Sequence, residues 1–272
     1  MKSIVSFLDR YGPWALVTGA SSGIGAEFAR QLASEGFHLV LAARREDLLD
    51  ALAAELSRRF GVQARVVVVD LSEDDAVDRL GRAVADLDIG LVVSNAGTGD
   101  PGHFLDQDHD EQLRLFRLNA LSHLNVAHHF GGRLARRGGG GILLGGAMGA
   151  AHGIPFSANE AGAKALVQSL GESLHVELRR QGIRVMTYVV PPTDTAIIRK
   201  FGLDPELMPV KPMSTTQCVS ETLRAFRANG KSSFLPGRMN RIMSAIIPAF
   251  VMRLMMGAMI ERALANRSDQ AA

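Results

Sequence analysis

The 272-residue chain reads as a single α/β domain built on a doubly wound, seven-stranded parallel sheet with helices on both faces, and three observations carry that reading. From residue 14 onward, short β-rich runs alternate with longer helical patterns, the order that successive βαβ units require. Several runs, notably Val66-Val67-Val68-Val69 and Leu91-Val92-Val93, are apolar throughout, as strands buried on both faces are. A glycine-rich string stands where the first strand must turn into the first helix.

Taken in order, strands are predicted over 14–18, 37–43, 64–70, 89–94, 141–145, 183–190 and 233–235. Helices are predicted near 24–35, 46–59, 73–86, 109–136, 157–181 and 215–229, each with apolar residues at three-to-four spacing. The connections are short, and right-handed crossovers place helices on both sides of the sheet. Glycines 138 to 141 read as a helix stop before a strand. Neither an internal repeat nor a low-complexity linker divides the chain, and a hydrophobic content of 47% fills one large core, so residues 1–272 are predicted to form one domain.

Thirty Lys and Arg against twenty-eight Asp and Glu leave a net charge of +2, spread along the chain, which disfavours nucleic acid as a partner. The lone Cys218 excludes an internal disulfide and has no companion at metal-ligand spacing, so no metal site is expected and a reducing, cytoplasmic setting fits. After Met1-Lys2-Ser3, Asp9 and Arg10 cut short an apolar stretch too brief for a secretory signal.

The strongest motif is Thr18-Gly19-Ala20-Ser21-Ser22-Gly23-Ile24-Gly25. Gly19 permits the tight turn, Gly23 lets backbone approach a pyrophosphate, and Gly25 allows close helix packing. The helix N-terminus adds N–H donors and positive potential, the chemistry of a Rossmann-type dinucleotide site. Strand before, helix after and the full string agree, which a glycine-rich turn alone does not offer.

With this motif the chain resembles the short-chain dehydrogenase/reductase family, and further positions follow that family's order along nearly the whole length. Asp70-Leu71 closes the third strand, where the family's Asp holds the adenine. Asn95-Ala96-Gly97 follows the fourth strand, similar to the element lining the family's cofactor cleft. Asn119 matches the active-site Asn and Lys164 the Lys of YxxxK. Asp70 or Asn95 alone reads more readily as a strand or turn cap; the ordered spacing of the set makes the joint match specific. The resemblance also implies a homodimer or homotetramer paired through the helices near 109–136 and 157–181.

The second strand ends in Ala43-Arg44-Arg45, where an NAD-binding protein usually places an acid for the ribose hydroxyls. Arginine suits a 2′-phosphate by charge and by its planar fork of donors, so NADP(H) is expected in preference to NAD(H), with Arg44 as the contact. A solvated pair at the helix start is the alternative.

Two catalytic positions depart from the family pattern. Four residues before Lys164 stands Glu160 rather than tyrosine, and thirteen further back stands Ala147 rather than serine. The two tyrosines, Tyr11 and Tyr188, lie outside this helix. A methyl at Ala147 cannot hydrogen-bond a developing oxyanion. Glu160, four residues before Lys164, has the favourable orientation for an intrahelix ion pair and is expected to be ionised near neutrality.

Three readings stay open. An oxidoreductase uses Glu160 as proton carrier, helped by Asn119 and Lys164, if burial raises its pKa. A redox-neutral lyase, isomerase or cyclase uses Glu160 as base and keeps the nucleotide as structure. A nonenzymatic binding subunit retains Glu160 and Lys164 as an ordinary ion pair. His152, Ser157, Asn159 and Ser94 are polar residues able to compensate near the cleft, His152 as an acid/base candidate.

Past the sixth strand, Val190-Pro191-Pro192-Thr193-Asp194-Thr195 is similar to the family's PGxxxT element, with Pro192 where glycine is usual. It opens a substrate loop over 193–215, with Thr195 either on the nicotinamide carboxamide or capping the next helix. Met239 to Met259 holds six of eleven methionines, and Pro248 and Arg253 interrupt it before it reaches transmembrane length. Flexible methionines suit a surface that repacks around apolar molecules, so the segment 239–265 is expected to be a lid over a lipophilic small molecule. A peripheral membrane or subunit contact, or an ordinary docked helix, are the alternatives.

Overall fold

The computed structural model describes residues 6–271 apart from 204, 206, 207, 209, 210 and 229, so part of the expected substrate loop lies outside the described residues. Seven parallel strands run in the order β3-β2-β1-β4-β5-β6-β7. They span β1 Trp14–Thr18, β2 His38–Ala43, β3 Ala64–Val68, β4 Ile89–Ser94, β5 Gly140–Ala147, β6 Ile183–Val190 and β7 Ser233–Phe234. The order reverses at β1/β4, which opens a crevice at the carboxyl ends of those two strands, the place where such sheets bind ligands.

Alternation along each strand explains why both faces are covered. Ala15, Val17, Leu39, Leu41, Leu91 and Val93 pack to one side, where helices α2 (Gly23–Ser34), α3 (Glu46–Phe60) and α9 (Thr215–Arg227) bury Phe28, Leu49 and Phe226. Leu16, Val40 and Val92, one residue out of phase, face α4 (Ala76–Ala83), α6 (Ser122–Arg137) and α7 (Ala158–Glu177), which bury Leu80, Phe130 and Val167. Caps set several helix ends. Acids Glu46 and Asp47 open α3, Arg58 and Arg59 close it, and Gly61 stops it in the left-handed region.

Four differences from the sequence reading have physical causes. The Val66–Val69 run is not buried on both faces: β3 is the edge strand and Val68 is 48% exposed. The helix expected over 109–136 is α5 (His109–Phe116) and α6 joined by a π-turn at Arg117–Leu121. Near the start, Phe7–Tyr11 form a short helix, α1, opened by a Ser6–Asp9 capping box, and the residues before Ser6 lie outside the described residues. The C-terminal apolar segment folds as α10 (Arg238–Ile246) and α11 (Ala249–Ala271), bent by 114° at the break before Ala249. No single helix among the described residues is long and apolar enough to cross a membrane.

Candidate functional site

The glycine loop joins β1 to α2 at the mouth of the β1/β4 crevice. Gly25 is required by contact: a Cβ there would overlap the carbonyl of Gly19, so α2 seats against its own loop only with a glycine. Ser22 occupies the N-cap position without a side-chain capping bond. Its hydroxyl instead accepts from Arg45 Nη2 at 2.7 Å, and Ser21 Oγ accepts from the same nitrogen at 2.9 Å. Thr195 stands at the N-cap of α8 (Ala196–Lys200), makes no side-chain capping bond there, and faces Gly23 across the loop.

The far wall of the crevice is stapled to β1 by one hydroxyl. Buried Thr18 Oγ1 accepts from the backbone N–H groups of Asn95 at 2.9 Å and Ala96 at 3.1 Å. Tyr188 OH donates to Asn95 Oδ1 at 2.8 Å from within the core, and burial holds this phenol well above its ordinary pKa, so it serves the wall and not the missing tyrosine position. Just beyond β3, Asp70 Oδ1 accepts from the N–H and hydroxyl of Ser72, and Oδ2 lies 3.5 Å from Arg44 Nη1. Burial pushes the Asp70 carboxyl up, but Ser72 and the guanidinium of Arg44 outweigh it and hold it below the usual range. Arg44 thus pairs with Asp70, and Arg45 is the guanidinium on the phosphate loop. Leu71 is buried beside Asp70, and Ile24 packs partly buried against the core under α2.

These features fit a dinucleotide. They comprise a glycine loop with no room for side chains at its closest approach, a helix N-terminus above it, two guanidinium groups at one end and Thr195 over the loop.

Asn119, Lys164 and Gly97 converge on the other end. The π-turn gives Asn119 its direction: the buried carboxamide accepts from Thr98 N–H at 2.9 Å and donates to Thr98 O at 2.7 Å, tying the helix to the Gly97 segment. Gly97 lies between the two side chains, and a Cβ there would sit 2.9 Å from Asn119 Oδ1 and 3.2 Å from Lys164 Nζ. Lys164 is buried; Nζ donates to Gly145 O on β5 at 2.9 Å and lies 3.2 Å from His123 Nε2. Burial lowers its pKa from 10.5 to about 8 against the opposing pull of Glu160.

Glu160 opens the first turn of α7 as expected for the departure position, yet it is not ion-paired with Lys164. Its carboxylate accepts from Ser157 Oγ at 3.1 Å and closes on Gly99, whose Cβ would meet Oε2 at 2.5 Å and the ring of Phe201. Burial raises the Glu160 pKa, with Lys164, Ser157 and Lys200 offsetting part of the rise. A cavity of about 10 Å³ adjoins the carboxylate, lined also by Thr98, Asn119, Ser157 and Asn159, which is room for one water. Asn159 itself is tied to Gln112 of α5. Ala147 ends β5 in register with Val190.

A third apolar cluster, separate from the two sheet cores, lies beside Glu160. Ile154, Ala161, Phe201 and Ile260 form it, with Phe156, Leu203, Met256 and Leu264 packed around them. One face of α11 therefore seats on the connection that follows β5, where Arg253 Nε donates to His152 O at 2.7 Å. His152 Nδ1 is buried without a hydrogen-bond partner. Phe156, immediately before α7, adopts φ 62°, a left-handed conformation costly for a bulky side chain.

The sequence reading did not single out His123. It lies on α6 one turn after Asn119, and that spacing was the available signal.

The short chain dehydrogenase family model matches residues 13–205. A very-long-chain 3-oxoacyl-CoA reductase from Neurospora crassa is 39% identical over 199 residues, which cover 71% of this chain and 60% of that protein. The chain thus spans less than two thirds of that relative. A 7beta-hydroxysteroid dehydrogenase from Clostridium sardiniense is 29% identical over 240 residues, covering 87% of this chain and 90% of the other. Among solved structures, a short-chain dehydrogenase from Sphingobium yanoikuyae in complex with NADPH superposes with a TM-score of 0.78 at 28% identity, covering 87% of this chain and 96% of that one. With a family match across most of the chain, and with crevice, loop and Asn–Lys pair where the sheet order puts them, this protein belongs to the short-chain dehydrogenase/reductase family.

Proposed function

We propose that the chain is an NADP(H)-dependent oxidoreductase acting on a bulky, lipophilic carbonyl or alcohol, with Glu160 as its proton carrier. The observation that carries this reading is the placement of Glu160. Its carboxyl is enclosed by Gly99, Phe201 and Ser157 and shares a small cavity with Asn119 and Thr98, and burial raises its pKa. A carboxyl tuned upward toward neutrality gives and takes protons where an exposed one stays ionised.

Arg45 with Arg44 would hold the 2′-phosphate end, the Gly19–Gly25 loop and the α2 N-terminus the pyrophosphate, and Asn95, Ala96, Gly97 and Thr195 the nicotinamide half. When bound there, the dinucleotide would supply the hydride chemistry of carbonyl reduction or alcohol oxidation. Glu160 delivers the proton to the carbonyl oxygen, or removes it in the reverse direction. Lys164 supplies a positive field behind the carboxyl, and Asn119 fixes the Thr98 backbone at the entrance. The apolar cluster of Phe156, Phe201, Met256 and Ile260 would receive the lipophilic part of the substrate and exclude water. The names of the relatives, a very-long-chain 3-oxoacyl-CoA reductase and a hydroxysteroid dehydrogenase, support a bulky apolar substrate.

Calorimetric titration with NADPH and NADH in parallel, followed by NADPH oxidation assays with long-chain 3-oxoacyl thioesters and keto-steroids, tests the proposal. Preferential NADPH binding with turnover of either substrate class supports it. Binding of neither nucleotide would overturn it.

A further inference from the structure

We infer that His123 is a positioning residue for Lys164: a neutral imidazole, anchored from behind by Ser94, that accepts a hydrogen bond from the ammonium and holds it against β5 at the floor of the cleft. Ser94 ends β4, His123 lies on α6 and Lys164 on α7, so the three side chains tie the strand to both helices under the crevice. All three are buried. The distances are 2.8 Å from Ser94 Oγ to His123 Nδ1 and 3.2 Å from His123 Nε2 to Lys164 Nζ.

Proton inventory decides the roles. A lysine ammonium has three donors and no lone pair, so the ring nitrogen facing it must be bare and Nδ1 carries the ring proton, donated to Ser94 Oγ. Burial and the neighbouring ammonium both push His123 well below its ordinary pKa, which agrees with a neutral ring. Of the three ammonium donors, one goes to Gly145 O and one to His123 Nε2, leaving one for the cleft beside Gly97 and Asn119. The titratable groups facing Lys164 are Glu160 on its own helix and, from α6, His123.

The assignment rests on Lys164 being a group of the proposed site, but its test needs no cofactor. The chain has five lysines, Lys2, Lys164, Lys200, Lys211 and Lys231, so the 13Cε resonance of Lys164 is assignable by its loss in Lys164→Met. The wild-type signal is expected to titrate at about 8. His123→Leu removes an acceptor from a buried cation and is expected to lower that midpoint by about one pH unit or more. His123→Gln, whose amide oxygen also accepts, is expected to restore most of it, a rescue that a purely space-filling role would not show. Ser94→Ala keeps the ring but frees its tautomer and is expected to move the midpoint in the same direction by less, which keeps the test available if His123→Leu does not fold. A Lys164 midpoint unchanged in folded His123→Leu, or unchanged in Ser94→Ala if the leucine variant is unfolded, overturns the assignment. Measuring NADPH affinity on the same variants separates the two ideas: an unmoved Lys164 midpoint sinks the role of His123, whereas failure of the wild type to bind NADPH sinks the proposed function alone.

Discussion

Replacing Lys164 by methionine should change how stability depends on pH, and the structure sets the sign and size of the effect. Lys164 is 7% exposed, and burial depresses its pKa from 10.5 to about 8. Below about pH 8 the amine is charged in both folded and unfolded chains, so its protonation does not vary with folding. Above it, the folded chain releases the proton while the unfolded chain retains it until its own pKa, so the unfolded state binds more protons and stability rises with pH. A tenfold difference in proton affinity between the folded and unfolded chains corresponds to about 1.4 kcal/mol. Raising the pH from about 7 to about 9.5 covers most of the interval, and wild type should gain about 2 kcal/mol relative to Lys164→Met over that range. Urea unfolding of both proteins at several pH values measures the difference, and Tyr188, Cys218 and other groups common to both proteins cancel in it. Parallel stability curves would refute the reasoning, because they would mean that the amine is hydrated in the folded protein.

Three other changes probe the remaining parts of the crevice. Thr18→Val leaves the buried N–H groups of Asn95 and Ala96 without their shared acceptor and should cost about 1–3 kcal/mol in urea unfolding, with weaker NADPH binding as the wall loosens. Gly25→Ala drives a methyl into backbone, which cannot yield as a side-chain tip does, so it should destabilise by about 1–3 kcal/mol and remove nucleotide binding measured by calorimetry. Glu160→Gln retains an acceptor for Ser157 yet carries no exchangeable carboxyl proton; turnover should fall about 10²-fold or more while NADPH affinity holds, and unchanged turnover would exclude Glu160 as the proton carrier.

The sheet was legible because its code is local. The predicted strands 14–18, 89–94 and 183–190 coincide with those observed, since each is a β-rich run bounded by turn residues. Exposure of Val68 was not legible, because which strand ends the sheet is decided by topology, not by the run itself. Gly19 to Gly25, Asn95 to Gly97, Asn119 and Lys164 were found from motif order, and the structure gathers them along one crevice. The partners of Lys164 were hidden. Helical spacing alone favours Glu160 four residues away, but tertiary packing offers Gly145 O and His123 inside the core, where a buried ammonium needs acceptors more than an exposed one does. The partners of Arg44 and Arg45 likewise needed the loop in space, since adjacent residues leaving a strand diverge, one toward Asp70 and the other toward Ser21 and Ser22.

Where the fold departs from its cheapest form also bears on what the site is for. The sheet cores are packed with aliphatic and aromatic side chains from alternating strand positions and the covering helices, while several costly features gather at one end of the crevice. These are a buried Lys164, a carboxyl at Glu160 whose pKa burial raises, a π-turn at Asn119 and a left-handed Phe156. Each costs of order 1–3 kcal/mol against an apolar or relaxed alternative. A chain kept only for its shape or for nucleotide binding would gain stability from an aliphatic residue at position 164 and a glycine at 156. Grouping of the other three near the Glu160 carboxyl, beside the apolar cluster of Phe201, Met256 and Ile260, is what the proposed proton-transfer role accounts for and a purely structural use of the scaffold does not.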